Sequence, residues 1–296
     1  MPLQSNLQPA FPLPNLTQAQ APLTCVIDAV NEHGEQQAVS IPAERALTVY
    51  VDKRELVTLM TLGAHPELLV LGYLRNQRLV KDASDIESIT VDWDVGAAAV
   101  NTRRGIEGID EKTSRRVVTT GCGQGSVFGG LMDEVDLIRL PGSTCITQSQ
   151  LYGLVNTIRL KETTYKSAGS VHACALFALT GSDPEILLFV EDVGRHNAID
   201  TIAGWMWMQQ SESVNKAGKI FYTTGRLTSE MIIKSAQMGV PVVVSRSGIT
   251  QMGHQVAQLV GLCAIGRATN KRFLCYSHAE RLKLEPSLVV RPGETS

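Results

Sequence analysis

The feature that most restricts the fold is a run of short apolar segments alternating with helical ones between residues 186 and 265. Ile186 to Val190 reads as a strand, and Glu191-Asp192-Val193-Gly194-Arg195-His196 as the turn leaving it. A helix follows with Ile199, Ile202, Ala203 and Met206 on one face. Lys219 to Tyr222 predicts a second strand, and Ser229 to Met238 a helix ended by Gly239 and Pro241. Pro241 to Val244, a helix over residues 250 to 260, and Leu262 to Ile265 continue the alternation. Strands that are apolar throughout must be covered on both faces, and short strand–helix–strand connections place such strands side by side. The expectation is an α/β core with a largely parallel sheet and covering helices.

Each of these strands leaves through a segment carrying arginine. These are Arg195, Arg226, Arg246 and, after the last strand, Gly266-Arg267-Ala268-Thr269-Asn270-Lys271-Arg272. In open α/β sheets ligands bind beyond the carboxyl ends of the strands, where helix N-termini present free N–H groups. Guanidinium forks suit phosphate oxygens, so the pattern fits a polyphosphorylated ligand such as a nucleotide. The plainer reading is that exposed loops carry arginines without any ligand. Neither GxGxxG nor GxxxxGK[ST] occurs, so nicotinamide and P-loop nucleotide chemistry lack support.

Ahead of this core the chain changes character. The first 24 residues hold no charged side chain and five of the twelve prolines, which predicts a flexible tail over residues 1–24. Residues 25 to 116 read as a small α+β unit. Within it Leu47, Val49 and Val51 alternate as in a half-buried strand, and His65-Pro66 opens a helix with Leu68, Leu71 and Leu74 near one face. Ile89, Val91, Trp93 and Val95 predict another strand, and residues 103 to 116, with eight charges in fourteen positions, a solvated connection. Residues 117–296 form the α/β core, in which Thr147-Gln148-Ser149-Gln150 has the form of a capping box before Leu151, Leu154, Val155 and Ile158.

Composition narrows the class. In 296 residues, 27 basic and 29 acidic side chains leave a net charge of −2, which argues against a nucleic-acid coat or a polybasic membrane binder. No apolar run approaches the roughly 18 to 20 residues of a membrane span. Six scattered cysteines without a CxxC pair make neither a disulfide framework nor a zinc ribbon. With no signal-peptide pattern in the opening residues, a cytoplasmic location is the expectation.

Cys122 stands apart from the other cysteines. It sits where five glycines fall in ten residues, in Gly121-Cys122-Gly123-Gln124-Gly125 and beyond, a setting that exposes a thiol to backbone N–H groups. That suits a nucleophile or a sulfur carrier, though an incidental loop cysteine fits too. His172 reads as a structural strand residue or a ligand, and His196, at a helix start, as a neutral donor or a turn cap. A cysteine hydrolase pairing Cys122 with either histidine lacks an assignable orienting Asp or Asn. The H-x-E and P-C-x-x-C pattern of zinc deaminases is missing, so no protein-ligated metal is expected.

The stretches Thr120-Gly121-Cys122-Gly123, Val171-His172-Ala173, Glu191-Asp192-Val193-Gly194-Arg195-His196-Asn197-Ala198, Arg226 through Glu230, Met238-Gly239-Val240-Pro241, and Tyr276-Ser277 with Arg281-Leu282 occur in that order. Together they resemble the FdhD family of formate dehydrogenase accessory proteins, from about residue 25 to about residue 285. The resemblance implies a cytidine-deaminase-like α/β fold with an added N-terminal part, usually as a homodimer. It also implies a sulfurtransferase that takes a persulfide sulfur from a cysteine desulfurase. The sulfur then passes to the molybdenum bis(molybdopterin guanine dinucleotide) cofactor before that cofactor enters formate dehydrogenase.

On this basis Cys122 is the persulfide site, and Arg267, Ala268, Thr269, Asn270, Lys271 and Arg272 contact the cofactor. Arg195, His196, Arg226 and Arg246 join them from the spacing argument. Many members carry a second cysteine three residues after the first, where this chain has Gly125. A holder of the cofactor without sulfur transfer is the alternative.

Overall fold

A computed structural model describes residues 12–109, 117–118, 125–126, 135–161, 163–181, 183–209, 211 and 217–288. The N-terminal unit contains β1 (Asn15–Leu16), β2 (Thr24–Val30), β3 (Gln36–Pro42), β4 (Arg45–Val51), β5 (Arg54–Thr61), α1 (Pro66–Asn76), β6 (Ile86–Asp92) and β7 (Ala97–Thr102). Five of its strands form a sheet in the order β1-β6-β7-β4-β5, while β2 and β3 make a separate antiparallel ribbon. Helix α1 starts on Pro66, whose missing N–H costs nothing at that position. Its Leu69, Leu71 and Leu74 pack with Leu47, Val49, Ile89 and Val100 of the sheet into one core.

Two expectations change here. The flexible tail does not extend over residues 12–24: β1 pairs with β6, and Glu67 accepts hydrogen bonds from Thr17 Oγ1 and the Ala19 amide, both at 2.7 Å. An uncharged, proline-rich segment lacks a helical period, yet it still adds a strand where an edge offers unpaired amides. The strand expected through Val95 stops at Asp92, whose carboxylate accepts from the Asp94 amide and turns the chain, leaving Val95 exposed.

Between the units, β8 (Val117–Val118) pairs antiparallel with β9 (Gly125–Ser126). The six residues joining them, Cys122 included, lie outside the described residues, as does half of the expected charged connection, residues 110–116. The rest comprises β10 (Ile146–Thr147), α2 (Gln148–Lys161), α3 (Thr164–Ala168), β11 (His172–Leu179), β12 (Glu185–Asp192), α4 (Arg195–Met208), β13 (Gly218–Thr223), α5 (Ser229–Gln237), β14 (Val242–Ser245), α6 (Gln251–Val260), β15 (Cys263–Thr269), β16 (Arg272–Ser277) and β17 (Leu282–Lys283). The capping box is present: the Thr147 amide donates to Gln150 Oε1 at 3.0 Å and the Gln150 amide to Thr147 Oγ1 at 3.2 Å.

The main sheet runs β12-β11-β13-β14-β15-β16. Only β13–β14 and β14–β15 pair parallel; the other three contacts are antiparallel, so the expected largely parallel sheet is mixed. The reason is local. The link from β11 to β12 and that from β15 to β16 are too short for a crossover helix, and short links make hairpins. Both faces are covered. Cys174, Leu176, Val190 and Phe221 face α4, α5 and α6, whereas Ala175, Phe177, Ile220 and Val244 face α2. A strand buried on both sides needs apolar residues at every position, which is the pattern read from the sequence. The result is an α/β architecture with parallel-containing sheets. No helix among the described residues is long and apolar enough to cross a membrane.

The two units meet through α1 and α4. A Cβ on Gly72 would lie 1.6 Å from the Asp200 carbonyl oxygen, and one on Gly204 would lie 2.0 Å from that of Leu68. The helix backbones therefore touch where both side chains are hydrogen. Polar groups seal the contact: Arg75 Nη1 donates to the Ala203 carbonyl, Asn76 Nδ2 to Asp200 Oδ1, and Asn197 Nδ2 to the Met60 carbonyl. Asp192 accepts from Thr61 Oγ1 and the Leu62 amide of the first unit, and from the Gly194 amide and Asn197 Nδ2 of the second.

Candidate functional site

Strand polarity decides where the predicted residues gather. Because β12 and β13 each run antiparallel to β11, and β13, β14 and β15 run parallel, the carboxyl ends of β12 to β15 share one edge with the start of β11. His172 begins β11 there, in register with Asp192. The exits are tied together by backbone: the Arg246 amide donates to the Thr223 carbonyl, the Leu227 amide to Gly248, and the Arg267 amide to Ser247. Ser245 Oγ donates to the Gly225 carbonyl and accepts from the Ser247 amide. This is a rigid rim.

Three arginines of this edge act on the charge of His172. Its pKa is lowered, first by burial and then by Arg195, Arg226 and Arg246, so the imidazole is neutral at pH 7. Arg195 is buried in the first turn of α4, its side chain lying over Gly225, where a Cβ would come within 2.7 Å of its Cδ. Arg226 is exposed on the β13 exit. Arg246 lies over the Tyr165 ring at 5.3 Å and donates to Tyr165 Oη. Tyr165 is held in turn by Glu191, whose carboxylate accepts from the amides of Thr164 and Tyr165. Neither Tyr165 nor Glu191 stood out in the sequence; Glu191 was legible only as the first residue of the Glu191–Ala198 block.

The segment Gly266 to Arg272, expected to be a loop, is the distal end of the β15–β16 hairpin. Strand β15 continues to Thr269 and β16 begins at Arg272, so only Asn270 and Lys271 turn the chain. Backbone pairing carries the strands past the edge of the sheet despite the charged sequence. Ala268 is a core residue, 1% exposed. With Thr269 and Asn270 it lines a cavity of about 180 Å³ whose other walls are Arg246, Tyr222, Val155, Ile158 and Arg159. Arg267, Lys271 and Arg272 line a wider concavity at the hairpin tip with Thr269, Phe273 and Leu274.

His196 has a different setting. It is 4% exposed, with Nε2 at 3.4 Å from Glu230 Oε2, inside the helical layer rather than on the rim. Glu230 also lies 3.4 Å from Lys234 Nζ, and Lys234 donates to Asp200 at 2.9 Å, with Lys234 and Asp200 fully buried. Burial opposes the charge on Lys234, but Asp200 and Glu230 beside it hold its pKa up. Burial, and then Lys234 and Arg195, lower the His196 pKa to about 2.

A histidine whose folded pKa lies below its unfolded value of about 6.5 contributes stability that is present above pH 6.5 and lost as pH falls. Asp192 and Asp200, raised by burial, act in the opposite sense. His196→Gln cancels only the histidine contribution. The loss of stability between pH 7.5 and 5.5 should therefore be smaller in the variant by about 1.4 kcal/mol. Urea titrations at the two pH values measure it, and equal losses would refute the assignment.

Cys174 is fully buried, donates to Thr223 Oγ1 at 3.3 Å, and has its pKa pushed up to about 12 by burial, so it is an unreactive core thiol.

A family model described as the FdhD/NarQ family matches residues 42–283. The chain belongs to that family. It is 29% identical over 255 residues to the sulfur carrier protein FdhD of Bacillus subtilis strain 168, covering 85% of this chain and 94% of that protein. The FdhD protein of Bacillus pumilus is 29% identical over 246 residues, covering 81% of this chain and 88% of its own length. A crystal structure provisionally described as a formate dehydrogenase accessory protein from Desulfotalea psychrophila superposes with a TM-score of 0.72. It shares 22% identity and covers 88% of this chain and all of that one, which establishes a common fold.

Proposed function

We propose that this protein is a sulfur carrier that serves formate dehydrogenase. Cys122 accepts sulfur from a cysteine desulfurase, and the arginine rim cradles the molybdenum bis(molybdopterin guanine dinucleotide) cofactor as substrate. The observation that carries the reading is that strand polarity gathers the exits bearing Arg195, Arg226 and Arg246 at the sheet edge where His172 begins β11. The names of its FdhD relatives support the carrier role.

In the loading step the Cys122 thiolate attacks the outer sulfur of the desulfurase persulfide. The bond between the two desulfurase sulfurs breaks, the desulfurase cysteine leaves as thiolate, and Cys122 ends as a persulfide. Gly125 sits where many relatives have a second cysteine. No neighbouring thiol in that motif then attacks the persulfide to form a local disulfide and release sulfide. Guanidinium forks at the rim pair with the pyrophosphate oxygens, and His172, neutral at pH 7, both donates and accepts hydrogen bonds. The hairpin residues Arg267, Lys271 and Arg272 extend the cationic surface. The same reading has the protein working in the cytoplasm as a homodimer.

Guanosine diphosphate binding tests the cradle. Arg226→Ala and Arg246→Ala should each weaken it about tenfold, about 1.4 kcal/mol, as should Arg267→Ala and Arg272→Ala, whereas the exposed Lys283→Ala should not. Calorimetric titration reads the difference, and unchanged affinity in all four arginine variants would remove the cradle.

A further inference from the structure

A thiol centre apart from the glycine-rich motif is formed by two cysteines of the β15–β16 hairpin. Cys263 opens β15 and Cys275 lies in β16. The register shifts between Ala264, opposite Ser277, and Ile265, opposite Cys275. That irregularity brings the two sulfurs to 3.8 Å on the face that packs against α2. Among the described residues this is the one pair of cysteines in contact. The two differ in environment: Cys263 is fully buried and Cys275 half-buried.

We propose that Cys263 and Cys275 are a reactive thiol pair that takes low-molecular-weight disulfides as substrate and closes to a disulfide. Cys275 is the attacking group. The Cys263 thiol hydrogen-bonds to it and lowers its pKa to about 7, with burial and the Glu280 carboxylate opposing and the Ser277 backbone and His278 assisting. The same bond, with burial, pushes the Cys263 thiol up. A thiol with a pKa near ambient pH combines thiolate population with nucleophilicity.

The Cys275 thiolate attacks one sulfur of glutathione disulfide, the glutathione S–S bond breaks, and one glutathione leaves as thiolate. Cys263 then attacks Cys275 Sγ, breaking the mixed disulfide, and the second glutathione leaves. Two electrons pass from the cysteine pair to glutathione disulfide, and the two thiol protons end on two glutathione molecules. Closure requires the sulfurs to approach from 3.8 Å to ~2.0 Å, through side-chain rotation on a strand pair whose register is already irregular. The bond would cross-link the two arms of the hairpin that carries Arg267 to Arg272.

Tryptic cleavage after Arg116, Arg139, Arg246, Arg267, Arg272 and Arg281 puts Cys122, Cys263 and Cys275 on separate peptides, so the state of this pair is read separately from that of Cys122. The full-length protein is incubated with excess glutathione disulfide, cleared of reagent, denatured, alkylated and digested. The peptides bearing Cys263 and Cys275 should be joined, both lost from the alkylated pool, and both restored by reductant. In Cys263→Ala a glutathionyl group should remain on Cys275, and in Cys275→Ser the Cys263 peptide should be alkylated in full. If both wild-type peptides are alkylated in full, or Cys275 keeps a stable glutathionyl group in the wild type, the proposal is overturned. The wild-type map decides the matter even where a variant does not fold.

Discussion

Gly72→Ala should destabilise the protein by about 3 kcal/mol or more, although helix propensity alone predicts a gain. Alanine in place of a mid-helix glycine favours an isolated helix by roughly 0.5–1 kcal/mol. Here the added methyl would sit 1.6 Å from the Asp200 carbonyl oxygen, inside backbone that has no rotamer to change. Overpacking a well-packed contact costs about 1–3 kcal/mol when side chains can yield, and more when only backbone can. The clash therefore outweighs the propensity. Gly204→Ala, with its Cβ 2.0 Å from the Leu68 carbonyl oxygen, should act in the same direction. The two changes should not add, because either one already separates the helices. Gly142, where a Cβ meets nothing within 4 Å, supplies the control. Chemical denaturation measures all three, and a Gly72→Ala midpoint equal to or above wild type would show that α1 and α4 are not in backbone contact.

That contact is also what the sequence conceals. The periodicity of Ile199, Ile202, Ala203 and Met206 identified one apolar face of α4, but the helix is buried from Arg195 to Gly204 because α1 covers the other side. Gly72 and Gly204 carry no periodic signal, and their meaning exists only once the helices cross. Glu230 and Lys234, four residues apart on α5, carry no sequence signal of burial; they are buried with Asp200, which arrives from another helix. The same holds for Asp192. Its block was legible as a motif, yet two of its four hydrogen bonds, from Thr61 and Leu62, tie the N-terminal unit to the core, so architecture accounts for that aspartate.

The core strands and their order along the chain were legible because burial on both faces imposes uninterrupted apolar runs. The direction of β11 and β16 was not, since pairing sense depends on the length of the connecting link rather than on side-chain pattern. For the rim, the exit arginines could be read from position alone, and strand polarity then brings three of them together. His172, balanced toward a structural role by its sequence setting, lies among those arginines. His196 moves the other way, into the helical layer beside Glu230.

Sulfur loading is the step on which the functional account stands. Of the six cysteines, Cys174 and Cys263 are fully buried and Cys275 is engaged with Cys263. Cys25 and Cys145 lie outside the glycine-rich motif, and the proposal places the carried sulfur on Cys122 within it. A cysteine thiolate exchanges with a persulfide at neutral pH, whereas alanine has no atom to receive the sulfur. Loss in Cys122→Ala should therefore be complete rather than graded. The decisive measurement is the intact mass of the protein after incubation with a cysteine desulfurase and L-cysteine, before and after reductant. The account predicts a gain of one sulfur atom that reductant removes and that Cys122→Ala lacks. No gain in the wild type, or an equal gain in Cys122→Ala, would contradict it.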